Sequence, residues 1–371
     1  MLVREVITAR DMDRFIRLPW TIYRHNPNWV PPLISEYRTF LDRHKNPFFE
    51  HAEVKFLLAS DPAGRILGRI AAIVNHRHIE QQGEKVGFFG LFECENDPTV
   101  AAALFDAGAD FLRSHGLTLM RGPENMSIND DIGLLIEGFD SPPAIMMPYN
   151  PSYYPGLIEA YGFRKEMDLY AYYGDTREQQ IPERVVRGIE LCQRRYKFQV
   201  RPIDLSRFDE EINAVYRVYT EAWEDNWGAV AMTRKEFDYL VAQFKGAVDP
   251  DLFLIATVGD EVAGFSLALP DFNQVLIKLK GRLFPFGIFK LLWYRRKINM
   301  IRVVTTGILK KFRQRGIDSS FYYETWTRST AKGMPRGEMS WILEDNAPMN
   351  NALRNLGLRL YKRYRLYGRN L

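Results

Sequence analysis

From Ile308 to Ser319 the chain reads Ile-Leu-Lys-Lys-Phe-Arg-Gln-Arg-Gly-Ile-Asp-Ser, a run with the chemistry of an anion cradle. A β-rich segment ends at Ile308, Arg313 and Arg315 bring positive charge, and Gly316 lets the backbone approach a ligand before a helix begins. A helix start presents unpaired N–H groups and the positive end of its dipole, so the expected ligand is a pyrophosphate. The charge around it agrees. No Asp or Glu occurs between Phe272 and Ile317, while twelve Lys and Arg residues do, and such a field attracts phosphates or an anionic membrane.

The elements that position this loop follow from periodicity and turn residues. Phe198–Ile203 reads as a strand, Phe208–Trp223 as a helix, and Asp251–Val258 with Glu261–Pro270 as a hairpin turning at Gly259-Asp260. Ile301–Ile308 is the strand before the loop and Ser319–Lys332 the helix after it. Glu338–Leu343, Pro348–Leu356 and Leu358–Tyr367 then read as strand, helix and strand. The first half repeats this order, with a hairpin over 52–75, a strand at Gly87–Cys94, a helix at Pro98–Ser114, a strand at Thr118–Gly122, a helix at Asn150–Ala160 and a strand at Lys165–Tyr173. A polar stretch, Gly174–Pro182, separates the halves. With 371 residues the expectation is two domains, 1–175 and 176–371, each burying its own core. The repeated order is what an internal duplication looks like at low identity.

Cys94 and Cys192 are far apart, with no metal-type spacing, and no metal site is expected. His76 and His78 read as a surface pair on one face of a strand. Charges interrupt every apolar stretch at the N-terminus, and no apolar run reaches the length of a membrane-spanning helix, so the expected setting is reduced and cytoplasmic.

The loop resembles the CoA pyrophosphate loop of the GNAT acyltransferases, pattern Arg/Gln-x-x-Gly-x-Gly/Ala, which falls on Arg313-Gln314-Arg315-Gly316-Ile317-Asp318. Ile308, Leu309 and Lys310 resemble the run that commonly leads into it. A second element also resembles that family: the strand Ser340–Leu343, Asn346 as N-cap with Pro348 in the first turn, then Leu356-Gly357-Leu358 and an aromatic final strand. Asp318 departs from the pattern, and it would either repel a pyrophosphate or serve as a helix N-cap pointing away. In the first half the corresponding loop, Cys94–Thr99, lacks the Arg/Gly pattern and carries Glu95 and Asp97, whereas 150–163 still resembles the second element.

The resemblance implies an α/β fold of two tandem GNAT-like domains, each a mixed, mostly antiparallel sheet flanked by helices, with the first copy degenerate. It implies acyl-CoA or acetyl-CoA as donor, bound by Ile308, Leu309, Lys310, Arg313–Ser319 and Asn346. The implied reaction is direct attack of an amine on the thioester. That chemistry needs a base, an N–H near Ile308 to polarise the carbonyl, and sometimes an acid for the thiolate. Glu344 and Asp345 are the candidate bases, although acids also simply favour a helix start. The Tyr that often serves as acid is replaced by Leu353, leaving Tyr364, Tyr361, Tyr322 and Tyr323 as substitutes.

Val275–Ile298 mixes Phe, Leu, Trp293 and Tyr294 with Lys290, Arg295, Arg296 and Lys297. Such a segment suits peripheral contact with an anionic inner membrane face, the covering of a long acyl chain, or a lid. GNAT-like acyltransferases of bacterial lipid synthesis, the ceramide-synthase type included, resemble this arrangement, so the acceptor is expected to be a lipid or sphingoid-type amine. DNA is not an expected partner. Two other readings use paired GNAT folds: a Fem-type ligase taking aminoacyl-tRNA, and a non-catalytic binding protein.

Overall fold

The computed structural model describes residues 1–223, 227–244 and 246–371. They form two compact units, neither continuous in sequence. One comprises Met1–Leu169, Leu276–Leu291 and Lys362–Leu371; the other comprises Tyr170–Val275 and Leu292–Tyr361.

In chain order the elements up to the linker are β1 (Leu2–Glu5), α1 (Ala9–Ile22), α2 (Ile34–Phe40), β2 (Ala52–Ser60), β3 (Ile66–Asn75), α3 (His76–Gln82), β4 (Val86–Cys94), α4 (Pro98–Ser114), β5 (Leu119–Gly122), β6 (Leu134–Glu137), α5 (Tyr154–Ala160) and β7 (Arg164–Asp175). They continue as α6 (Glu183–Tyr196), β8 (Phe198–Pro202), α7 (Phe208–Trp223), α8 (Arg234–Phe244), β9 (Phe253–Val258), β10 (Glu261–Pro270), α9 (Asn273–Leu279), α10 (Gly287–Tyr294), β11 (Met300–Ile308), α11 (Ile317–Ala331), β12 (Arg336–Leu343), α12 (Ala347–Asn355) and β13 (Arg359–Asn370).

The N-terminal unit has strand order β1-β2-β3-β4-β5-β13, with β6 also on β13. Every pair is antiparallel except β4–β5. β3 and β4 are buried along nearly their whole length, which explains why they read as continuous apolar runs rather than as alternation. α4 lays Val100, Leu104, Phe105 and Leu112 onto this sheet at helical spacing. Arg69 and Glu93 are buried together. Arg69 donates to the Phe15 carbonyl (2.6 Å) and the Tyr37 hydroxyl (3.1 Å), and Tyr154 donates to Glu93 (2.7 Å). Burial pushes Glu93 up to about 6. Glu124, 2% exposed, is pushed by burial up to about 8, and its Oε1 has no hydrogen-bond partner among the described residues.

The histidine pair departs from its sequence reading. His76 and His78 open a helix capped by the Asn75 side chain, not a strand, and His78 is 1% exposed. His76 meets Glu53 (3.0 Å) while His78 meets Glu84 (3.4 Å), so the two rings have separate partners. Asn75 supplies the cap that ends β3 and starts the helix.

The C-terminal unit has order β8-β9-β10-β11-β12-β7, in which β8–β9, β9–β10 and β10–β11 are antiparallel and β11–β12 is parallel. Both units thus place an antiparallel hairpin, a third strand, a helix and a parallel strand in the same sequence. Within 176–182 the chain is irregular, as its polar composition suggested. The segment 275–298, of which 276–291 belongs to the N-terminal unit, contains α10, and five of its large apolar side chains are exposed: Phe284 (75% exposed), Phe286, Phe289, Leu292 and Trp293 (62%).

Candidate functional site

The parallel pairing of β11 with β12 ends at Val303 and Met339, although β11 continues to Ile308 and β12 to Leu343. A bulge helps open this fork. Leu267 and Ala268 of β10 face Thr305 and Val303, so Val304 is the extra residue and β11 bends away from its neighbour. On the two arms, Thr305 Oγ1 and Trp341 Nε1 are buried without hydrogen-bond partners among the described residues. Buried polar atoms are rarely left so, and a ligand between the strands would satisfy them.

Beyond Ile308 a short turn of Lys310–Phe312 leads to Arg313–Gly316 and the start of α11. Gln314 (φ 61°) and Gly316 (φ 80°) adopt the left-handed conformation that lets successive N–H groups form an anion-binding concavity. Gly316 is the N-cap of α11, and no side chain caps the helix. Its first N–H groups therefore remain available, as a phosphate requires. Asp318 lies inside the first turn of α11 and does not cap it, which corrects the capping alternative.

The basic side chains divide the work. Arg313 donates to the Ala222 carbonyl (2.8 Å) and the Ile308 carbonyl (3.3 Å), tying the loop to the ends of α7 and β11. Lys311 pairs with Glu261 at 2.7 Å. Arg315 lies over the rings of Phe312 (5.1 Å) and Tyr196 (5.6 Å), which leaves its guanidinium edge for an anion. Leu309 is buried and donates its N–H to Ala263, while Ile308, half-buried, ends the strand. Ile317 is buried in the core and Ser319 lies in the first turn of the helix.

On the other arm, Asn346 is the N-cap of α12 and accepts from the Met349 N–H at 3.2 Å, as its position suggested. Glu344 is half-buried and Asp345 exposed in the turn before it. Asn350, missed by the sequence reading, donates to the carbonyls of Leu343 and Asn346 (both 2.9 Å) and accepts from Tyr172 (2.8 Å). Leu353 is fully buried.

Two charged residues inside strands were also missed. Arg302, 1% exposed, donates to Ser340 Oγ at 2.8 Å; Ser340 donates to Glu338, which is fully buried, and Tyr361 donates to the same carboxylate. The available signal was a charge at an inward position of each strand, in Ile301-Arg302-Val303 and Glu338-Met339-Ser340. Among the four tyrosines considered, Tyr361 joins this network. Tyr322 is buried in α11, where burial raises its pKa, and Tyr323 is half-buried there. Tyr364 is fully buried in the part of β13 that belongs to the N-terminal unit, opposite Leu135.

The N-terminal unit has a fork of the same design, but its own chain fills it. β4–β5 pairing ends near Phe88, and the Glu124 N–H then donates to the Phe89 carbonyl (2.8 Å) while Asn125 Oδ1 accepts from the Leu91 N–H (2.7 Å). A Cβ on Gly90 would sit 1.9 Å from the Glu124 carbonyl oxygen, so the backbones touch. The start of α4 is capped by Asp97, which accepts from the Thr99 N–H at 2.8 Å and places a carboxylate where a phosphate would bind.

No family model matches the chain. It is 38% identical over 376 residues to the bacterial ceramide synthase of Caulobacter vibrioides, covering 98% of this chain and 95% of that protein. It is 36% identical to protein YghO of Escherichia coli, covering 99% and 94%. Among solved structures it is similar to a tandem GNAT protein from the clavulanic acid biosynthesis pathway (TM-score 0.57, 11% identity, 100% and 98% covered). It is also similar to a GCN5-related N-acetyltransferase from Sphaerobacter thermophilus (TM-score 0.54, 14% identity, 100% and 95% covered).

Proposed function

The chain belongs to the family of the Caulobacter bacterial ceramide synthase and YghO, in a tandem GNAT fold, and we propose that this N-acyltransferase takes acyl-CoA as donor and a lipid or sphingoid-type amine as acceptor. The observation that carries the reading is the uncapped start of α11, reached through Arg313–Gly316 beside the point where β11 and β12 part, with a buried polar atom on each arm that has no hydrogen-bond partner among the described residues. Arg315 and the N–H groups of Gly316 through Ser319 would hold the pyrophosphate. Thr305 and Trp341 would line the path of the thioester, and the carboxylates of Glu344 and Asp345, in the turn after β12, would attract the ammonium by charge. The filled fork and the Asp97 cap support a first copy that has lost donor binding.

Isothermal titration with CoA tests the reading, and titration with tRNA is the arm that would favour a Fem-type ligase. Asp318→Ala sharpens the test. The carboxylate is close to the proposed anion and caps nothing, so its removal is expected to tighten CoA binding severalfold. The loss in stability should stay within about 1 kcal/mol, the favourable dipole interaction of an acid in the first turn. A large drop in CoA affinity with stability intact would contradict this placement.

We also propose that the segment 275–298 meets an anionic membrane surface, where a lipid amine is found. Its outward Phe284, Phe286, Phe289, Leu292 and Trp293 are interleaved with Lys290, Arg295, Arg296 and Lys297, and the ammonium of Lys297 lies 5.1 Å from the Trp293 ring. The protein is expected to sediment with anionic liposomes in a salt-sensitive way. A variant with those three C-terminal basic residues changed to Gln and Trp293→Ala should sediment several times less, each basic residue contributing about 1 kcal/mol. Equal sedimentation of both proteins, or none by either, removes the membrane reading.

A further inference from the structure

Below the fork, on β11 and β12, lies a charged network buried in an otherwise apolar sheet. Side chains alternate across a strand. Val303 and Met339 line a small cavity with Tyr322, Thr325 and Trp326 of α11, which Glu338 also borders, and the side chains of Arg302, Glu338 and Ser340 alternate with theirs along the two strands. The network borders the vertex of the fork, since Arg302 precedes the last paired residue of β11 and Ser340 follows that of β12. Burying an ion pair of this kind seldom adds stability over an apolar replacement. Its position beside the fork offers another reason for it.

The hydrogen bonds have a direction. Arg302 Nε donates to Ser340 Oγ, Ser340 donates to Glu338 Oε1 (2.5 Å), and the Tyr361 hydroxyl donates to Glu338 Oε2. Arg302 lies 3.7 Å from Glu338 and 5.0 Å from the ring of Trp341, whose indole nitrogen has no hydrogen-bond partner among the described residues. Tyr361 is half-buried, whereas Arg302, Glu338 and Ser340 are buried; Tyr173 packs on its ring at 5.6 Å, and Arg359 lies over Tyr173.

We propose that Tyr361 and Glu338 form the proton-accepting relay for the amine, a deepening that rests on the acyl-CoA N-acyltransferase reading. The ammonium gives one N–H proton to the Tyr361 oxygen as the Tyr361 proton passes to Glu338, leaving a neutral amine. The amine lone pair forms the C–N bond to the thioester carbonyl and the C–S bond breaks. The thiolate takes up the second amine proton, so amide and free thiol leave with charge balanced, and Glu338 returns its proton through Tyr361 to water. Tyr361 is then the catalytic residue, while Arg302 and Ser340 are positioning residues that fix the carboxylate.

The test compares wild type, Tyr361→Phe and Glu338→Gln, with a long-chain acyl-CoA and a sphingoid base as substrates and CoA affinity measured separately by calorimetry. Tyr361→Phe is expected to lower kcat about a hundredfold at pH 7, within the range for removal of a general base. CoA affinity should stay within threefold. The defect should shrink at least tenfold by pH 9, where more of the amine is neutral in solution. Glu338→Gln should share this pH signature if it folds, and Tyr361→Phe carries the test if it does not. A Tyr361→Phe protein with wild-type kcat, or with a defect that is the same at every pH, overturns the relay. Failure of the wild type to bind CoA overturns the acyl-CoA reading and the relay with it, so the two failures are told apart.

Discussion

Charge reversal at Arg315 is expected to weaken CoA binding by about a hundredfold or more while leaving the protein folded. Two unit charges a few Å apart interact by about 4 kcal/mol at an effective dielectric near ~20, and Arg315→Glu both removes an attraction and adds a repulsion. Solvent screening at this exposed loop reduces the sum but leaves about 3 kcal/mol, which is the hundredfold. Stability should hardly change. Arg315 stacks on Phe312 and Tyr196 and makes no ion pair among the described residues, whereas Arg313 ties the loop to two carbonyls and would confuse the result. Calorimetric titration with CoA, paired with a thermal melt, decides the matter, and unchanged affinity in a folded variant refutes the cradle.

The second large effect is on stability and comes from Glu124. Its folded carboxyl titrates near 8, raised by burial from an ordinary 4.5, with Arg121 opposing and Asp130 adding to the shift. Between those pH values the folded state holds a proton that the unfolded chain has released. The contribution of Glu124 to stability is therefore greatest below about pH 4.5, falls as pH rises through the window, and levels off above 8. The fall is on the order of 3 to 5 kcal/mol, with Glu93 adding a smaller part between 4.5 and about 6. Glu124→Gln should flatten most of it, making the variant more stable than wild type at pH 8.5 and close to it at pH 5. Denaturant titrations at both values would read this directly, and parallel curves for the two proteins would sink the assignment.

Much of the fold was legible because both halves repeat one order of elements with strong periodic cores. Pro98–Ser114 and Phe208–Trp223 were read to the residue, since a Pro or Phe start and a clear apolar stripe leave little freedom. The anion loop was legible because its chemistry is local: an arginine, a glycine and a helix start are all visible in seven residues. The buried network was not. Arg302, Glu338, Ser340 and Tyr361 stand on three strands, and only pairing across the sheet brings them together. His78 was misread for a related reason, because Asn75 ends β3 by capping a helix that has almost no apolar periodicity of its own. The fork in the first copy gave no sequence signal that its own backbone would fill it, because Gly90 reads the same whether it makes room for a ligand or for Glu124.

Residues Lys362–Leu371 complete the N-terminal unit, pairing Tyr367 with Gly122 and Arg369 with Met120 on β5. During synthesis this unit therefore waits for two later segments, 276–291 and 362–371, after its first 169 residues are made. Until residues 362–370 are made, β5 lacks its β13 partner and presents an edge of the kind that invites aggregation. A chain cut before Lys362 would therefore lose part of the domain whose synthesis begins first.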